Sequence, residues 1–222
     1  MITVSVSALI DGARLRADMQ DVGWLTDANG MDLVRSAWEQ LYVAVASTEW
    51  GAHRWTTSNQ GTTAPGVDSY DLPSDCWRIE GVDLKYNNVW RKLRKRAWHE
   101  RNDWASGASG LPVTFMAPVV YDIVADKLVF SPIPISAIQY KIWYTPDPTP
   151  ITALDNGLSL EPAWRQWIEL HVGAASLRRE ESYEQAAALQ GAADALWRTI
   201  VAGNTRDIGD PDHVRDVLDI DL

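Results

Sequence analysis

Apolar residues return every three or four positions in the first part of the chain. Ile10, Ala13 and Ala17 carry that spacing between residues 5 and 20, and Ser5 or Ser7 stands where a helix cap is needed. Gly23 and the Asn29-Gly30 pair read as the break that follows. A second helix is expected over residues 31–48. Val34, Trp38, Leu41 and Val45 form its stripe, Tyr42 lies beside it, and Asp32 near its start suits the helix dipole.

The period then changes. Residues 56–68, rich in Thr, Ser, Asn, Gly and Pro, predict a loop. From Tyr70 to Tyr144 the pattern is strand-like. Trp77, Ile79, Val82 and Leu84 alternate except at Gly81, the place for a bulge. Asn87-Asn88 suits a hairpin turn, because Asn tolerates positive φ. A short helix over 97–104 and a flexible loop over 106–110 precede strands at 113–117, 121–124, 128–130 and 137–144. Pro132 and Pro134 end the strand before them, since proline cannot donate to a ladder.

Pro146, Pro148 and Pro150 make residues 145–150 a stiff extended linker. Two helices follow. The first spans 161–181, with Ser159 as candidate cap, Pro162 early, and Trp164, Trp167, Leu170 or His171, Ala174 and Leu177 on one face. The second spans 183–202, with Ala187, Gln190 or Gly191, Asp194, Leu196, Trp197 and Ile200, and Gly203 as its stop. Residues 204–222 interleave acids, Asp216 and Asp219 among them, with Val214, Val217, Leu218, Ile220 and Leu222. A purely solvated tail has no use for five aliphatics, whereas an arm that orders on a partner does.

These patterns predict an α+β fold. Helices at 1–55 and a helical hairpin at 146–203 form a bundle, an antiparallel β-sheet or barrel-like region is inserted at 56–145, and an extended arm follows at 204–222.

Composition narrows the function. At 222 residues and 46% hydrophobic, the chain can bury a core without staples. The net charge of −10 opposes a protein that grips nucleic acid by neutralising phosphates. Cys76 is the one cysteine, so no internal disulfide forms and a reducing compartment is expected. The first residues lack the basic-then-apolar pattern of a signal peptide, and no run reaches the roughly 18 apolar residues of a membrane span. A soluble protein with no membrane partner is expected. Twelve tryptophans against two phenylalanines suit cores, large interfaces or sugar stacking.

One feature opposes the acidic average: Arg91, Lys92, Arg94, Lys95 and Arg96, with Trp90, Trp98 and Trp104 nearby. It reads as an inter-subunit complement to acidic surfaces, or as a DNA-facing strip. His53, His99, His171 and His213 are too scattered for a metal site, Cys76 has no activating neighbour, and no P-loop, GxGxxG or GxSxG occurs. No cofactor is implied. Two carboxylates converging for glycoside hydrolysis stay open as an alternative, alongside a glycan-binding module.

The stretch from Tyr70-Asp71-Leu72-Pro73 through Ser131-Pro132-Ile133-Pro134 to Tyr144, followed by Pro162-Ala163-Trp164, resembles tailed-phage head-to-tail adaptor proteins, also called head-completion or neck proteins. The resemblance covers residues 5–203. It implies a structural virion protein rather than an enzyme. Such proteins form a ring, usually twelve-fold, between the portal protein and a tail tube or nozzle protein, in the neck of a virion assembled in the host cytoplasm. Double-stranded DNA passes through without specific binding. In larger members the C-terminal segment reaches the portal, a role that here would fall on 204–222. The alternative is a phage tail protein that binds glycans or degrades peptidoglycan.

Overall fold

The computed structural model describes residues 2–19, 25–48, 53–97 and 120–205, and within them the chain is α+β. Ser5 ends a short strand, β1 (Ile2–Ser5), and caps α1 (Val6–Arg16), its hydroxyl oxygen accepting the N–H of Ala8 at 3.2 Å. The second helix, α2 (Asp27–Ala46), begins earlier than its apolar stripe suggests. Thr26 caps it by accepting the N–H of Asn29, and Asp27, not Asp32, is the acid of the first turn. Asn29-Gly30 therefore lies inside the helix rather than at a break. A Cβ on Gly30 would come within 2.9 Å of Ile10, so the missing side chain lets α1 and α2 close on each other. Gly23 is outside the described residues.

Residues 55–147 form a compact unit of their own. Its strands are β2 (Thr57–Thr62), β3 (Ser69–Asp71), β4 (Cys76–Tyr86), β5 (Val89–Lys92), β6 (Arg94–Lys95), β7 (Val120–Val124), β8 (Lys127–Ser131) and β9 (Gln139–Pro146). One sheet has the order β2-β9-β4-β5 and the other β3-β8-β7-β6, antiparallel throughout except for β6 and β7. Register shifts between Ile79 and Gly81 place the expected bulge. Asn87 and Asn88, with φ of 48° and 65°, turn β4 into β5. The strand before Pro132 ends at Ser131.

Two expectations fail here. Residues 57–62 are a strand, not loop: their polar side chains are exposed along a sheet edge, and the ladder to β9 holds them. The proline-rich linker is also shorter than read, because Thr145 and Pro146 belong to β9 and Thr145 is fully buried. The expected helix at 97–104 and strand at 113–117 fall almost wholly outside the described residues. Both sheets feed one core. Val82, Leu84, Tyr140, Ile142 and Tyr144 come from one, and Tyr121, Leu128 and Phe130 from the other. Tyr70, Phe130 and Tyr140 form a mutual aromatic cluster with centroids 5.4–5.5 Å apart. The Tyr70 hydroxyl accepts the N–H of Ala64 at 2.8 Å and donates to the carbonyl of Val67 at 2.9 Å.

The segments 1–54 and 148–222 make the second unit. Strand β10 (Gly157–Leu160) pairs antiparallel with β1, so Ser159 is a strand residue opposite Thr3 and not a cap. Glu161 is the cap position of α3 (Pro162–Arg179), with Pro162 in its first turn. The last helix, α4 (Tyr183–Thr205), runs through Gly203, which therefore does not stop it. Leu9, Ile10, Leu41, Tyr42, Leu158, Leu160, Trp164 and Ile168 are buried in this unit. Glu169, 3% exposed, is held by Arg16 at 2.8 Å and Arg165 at 2.7 Å, so its charge is paired twice where solvent is excluded. Val214, Asp216, Val217, Leu218, Asp219, Ile220 and Leu222, the residues expected to form a docking arm, lie outside the described residues.

Candidate interaction surface

The basic run does not form one face. Arg91 and Lys92 sit on β5, whereas Arg94 and Lys95 sit on β6 in the other sheet, with Leu93 buried between them. All four cations are exposed. Arg96 turns inward instead. It meets Asp122 at 3.2 Å, with the two side chains 11% and 10% exposed, and so serves the β unit's own structure. The run thus separates into two exposed pairs and one internal ion pair.

The outward face of the β2-β9-β4-β5 sheet gathers what the sequence scatters. Inward positions Tyr140, Ile142 and Tyr144 of β9 alternate with Lys141 and Trp143 on the outside. Asp83 of β4 stands opposite Lys141 on one side and Lys92 on the other, and Lys85 stands opposite Trp90. The ammonium of Lys141 lies 4.5 Å from the Trp90 ring centroid and 5.0 Å from that of Trp143, and Lys85 lies 5.8 Å from Trp90. Cation–π contacts of this kind contribute about 0.5–1 kcal/mol each at exposed sites. The Trp143 indole N–H donates to Asp83 at 2.7 Å, which fixes the ring although it is 37% exposed.

The result is a rigid patch of two indoles carrying lysines, with one carboxylate already engaged. Such a patch is suited to protein contact, where aromatic bodies bury area and charges set the register. A sugar would stack on the same indole rings, but Lys141 already lies over both. Sequence reading linked Trp90 to the basic run and missed Lys141 and Trp143. Their signal is strict alternation with the buried tyrosines of β9, which forces them to the outside.

In the helical unit, Glu39, Gln40, Val43 and Ala44 of α2 and Trp197 of α4 line an open cleft. Val43 is 44% exposed and lies off the α2 stripe. Trp197 packs at 4.7 Å on Trp167, which in turn stacks on His171 at 4.9 Å. Burial holds the His171 pKa below the ordinary histidine value, Arg178 adds to the lowering, and Asp194 opposes it. Burial raises the Cys76 thiol, and Asp75 and Asp147 add to that, so the nucleophilic thiolate is disfavoured. Trp38, Trp164 and Trp167 are core residues, whereas Trp77 and Trp143 are more than a third exposed.

Among the described residues no group of three or more His, Cys, Asp or Glu side chains could hold a metal ion, and no helix is long and apolar enough to cross a membrane. A family model described as SU10 adaptor protein matches residues 4–215. No curated protein matches the chain.

Proposed function

The chain belongs to the SU10 adaptor protein family, and on that premise we propose that it forms a ring between the portal and the tail of a phage virion. The ring extends the DNA conduit and offers the tail its attachment platform. Its action is assembly rather than turnover. The observation that carries this reading is the family match over residues 4–215, which spans both structural units. The net charge of −10 supports it, because a conduit must let phosphate backbones slide without gripping them.

The segment after Thr205 is the portal-docking arm in this reading. Its Val214, Val217, Leu218, Ile220 and Leu222 bury against the portal, while Asp216 and Asp219 fix the register. The test is negative-stain imaging of the purified protein, alone and mixed with its portal, together with a variant ending at Thr205. Rings on the portal for the full chain, and weakened capture for the shortened one, are expected. No ring in either sample overturns the adaptor reading, and undiminished capture of the shortened chain overturns the arm.

A further inference from the structure

Of the chain's 20 basic and 30 acidic residues, residues 55–147 hold ten of each. The whole formal charge of −10 therefore falls on segments 1–54 and 148–222. The β unit is neutral, yet its outer sheet face concentrates Lys85, Lys92 and Lys141 around Trp90 and Trp143. The acidic helical unit presents the opposite: an apolar cleft of Val43, Ala44 and Trp197 with Glu39 on its wall.

We propose that the outer face of the β2-β9-β4-β5 sheet in one copy docks on the α2–α4 cleft of a second copy. This rests on the ring reading above and names the two surfaces that meet. They are different from one another, so the contact is head-to-tail, the kind that propagates into a ring when its rotation closes. Trp143 and Trp90 supply apolar area to Val43 and Trp197, and Lys141 and Lys92 face Glu39 of the acidic unit. A protein partner is favoured over nucleic acid because Asp83 lies among the lysines, where it would repel phosphate.

The test is a charge swap in the full chain, read by sedimentation at low salt and by imaging on the portal. Lys92→Glu with Lys141→Glu should weaken copy-to-copy association about tenfold or more, and Glu39→Lys should do likewise. A chain carrying all three changes should regain association. A mixture of the face variant and the cleft variant should also regain association, in alternating order, because the two altered surfaces match each other and the two remaining surfaces are wild type. A milder check keeps the wild-type side chains: association should weaken as salt rises from about 50 to about 500 mM.

Single subunits of the swapped variants should still be captured by the portal, so portal binding with faulty rings separates this inference from the adaptor reading. Rings unaffected by either reversal overturn the proposal. So does a face reversal that leaves rings intact and abolishes binding of a double-stranded oligonucleotide. Failure of the wild-type chain to bind portal at all would instead sink the adaptor reading.

Discussion

At the scale of single residues, the tightest constraint in the β unit is Gly61. It pairs with Tyr140, whose ring atoms lie 2.3–2.8 Å from where a Cβ would stand. Tyr140 cannot retreat, because Tyr70 and Phe130 pack on its other sides. Gly61→Ala should destabilise the protein by about 1–3 kcal/mol, the usual cost of overpacking. Gly81→Ala, with nothing within 4 Å, should stay within about 0.5 kcal/mol. Urea midpoints of the two variants compare them directly, and equal losses would show that the Tyr140 packing is not the cause.

His171 sets a second residue-scale expectation. Its Nδ1 is buried with no hydrogen-bond partner among the described residues, and the ring lies flat on Trp167. The fold therefore favours the neutral form, with a pKa below the ordinary value of about 6.5. Above that value both folded and unfolded chains are neutral at this site and it adds no pH dependence. As pH falls through it, the unfolded chain takes up the proton first and stability declines, until the folded histidine also protonates. Between about pH 7.5 and 5, His171→Gln should lose stability less steeply than the wild type. Parallel profiles would mean that the imidazole is not part of the acid sensitivity.

At the scale of elements, what could be read in the sequence depended on how each element is held. Helices α1, α2 and α3 bury the apolar stripes read from the sequence, so their periodicity announced them, whereas α4 buries Ala186, Ala193 and Ile200 and leaves Ala187 and Asp194 exposed. Their ends were less legible: Thr26 caps α2 ahead of the Asn29-Gly30 pair that reads as a break, and Glu161 rather than Ser159 stands at the cap position of α3. Strand β2 carried no hydrophobic signal at all: Thr57-Ser58-Asn59-Gln60-Gly61-Thr62 is an edge held by main-chain bonds. The pair β1 and β10 is four residues a side, too short for alternation to stand out. The Trp-Lys face was invisible for a further reason: the β4–β5 hairpin and the distant β9 supply it, and only the register brings them together.

The β1–β10 ladder joins the start of the chain to the segment before α3, and Val4 is its buried contact opposite Leu158. Val4→Asp should cost about 3 kcal/mol, because the carboxylate must desolvate or take up a proton. Thr3→Asp, one residue away on the exposed side, should cost about 0.5 kcal/mol or less. A matching loss from both would show that the ladder, rather than Val4 burial, is being disturbed.

At the scale of the whole molecule, the separation of charge coincides with a separation of cores. The neutral unit, 55–147, gathers its buried residues from both of its own sheets, and the acidic unit buries a different set. The ends of the β unit also leave it side by side. Thr57 at the start of β2 pairs with Tyr144 near the end of β9, and the N–H of Asp147 donates to the carbonyl of Asp75 at 2.7 Å. Closely spaced ends are what let a domain be carried as an insertion without straining its host. The excised segment 55–147 should therefore fold alone, with dispersed amide resonances and cooperative unfolding followed by tryptophan fluorescence. It should also keep the Trp143–Asp83 contact, so that Asp83→Ala alters the fluorescence in the fragment as in the full chain. A fragment with collapsed amide dispersion would instead mean that the two cores form one cooperative unit, and that the β unit depends on the helical segments flanking it in sequence.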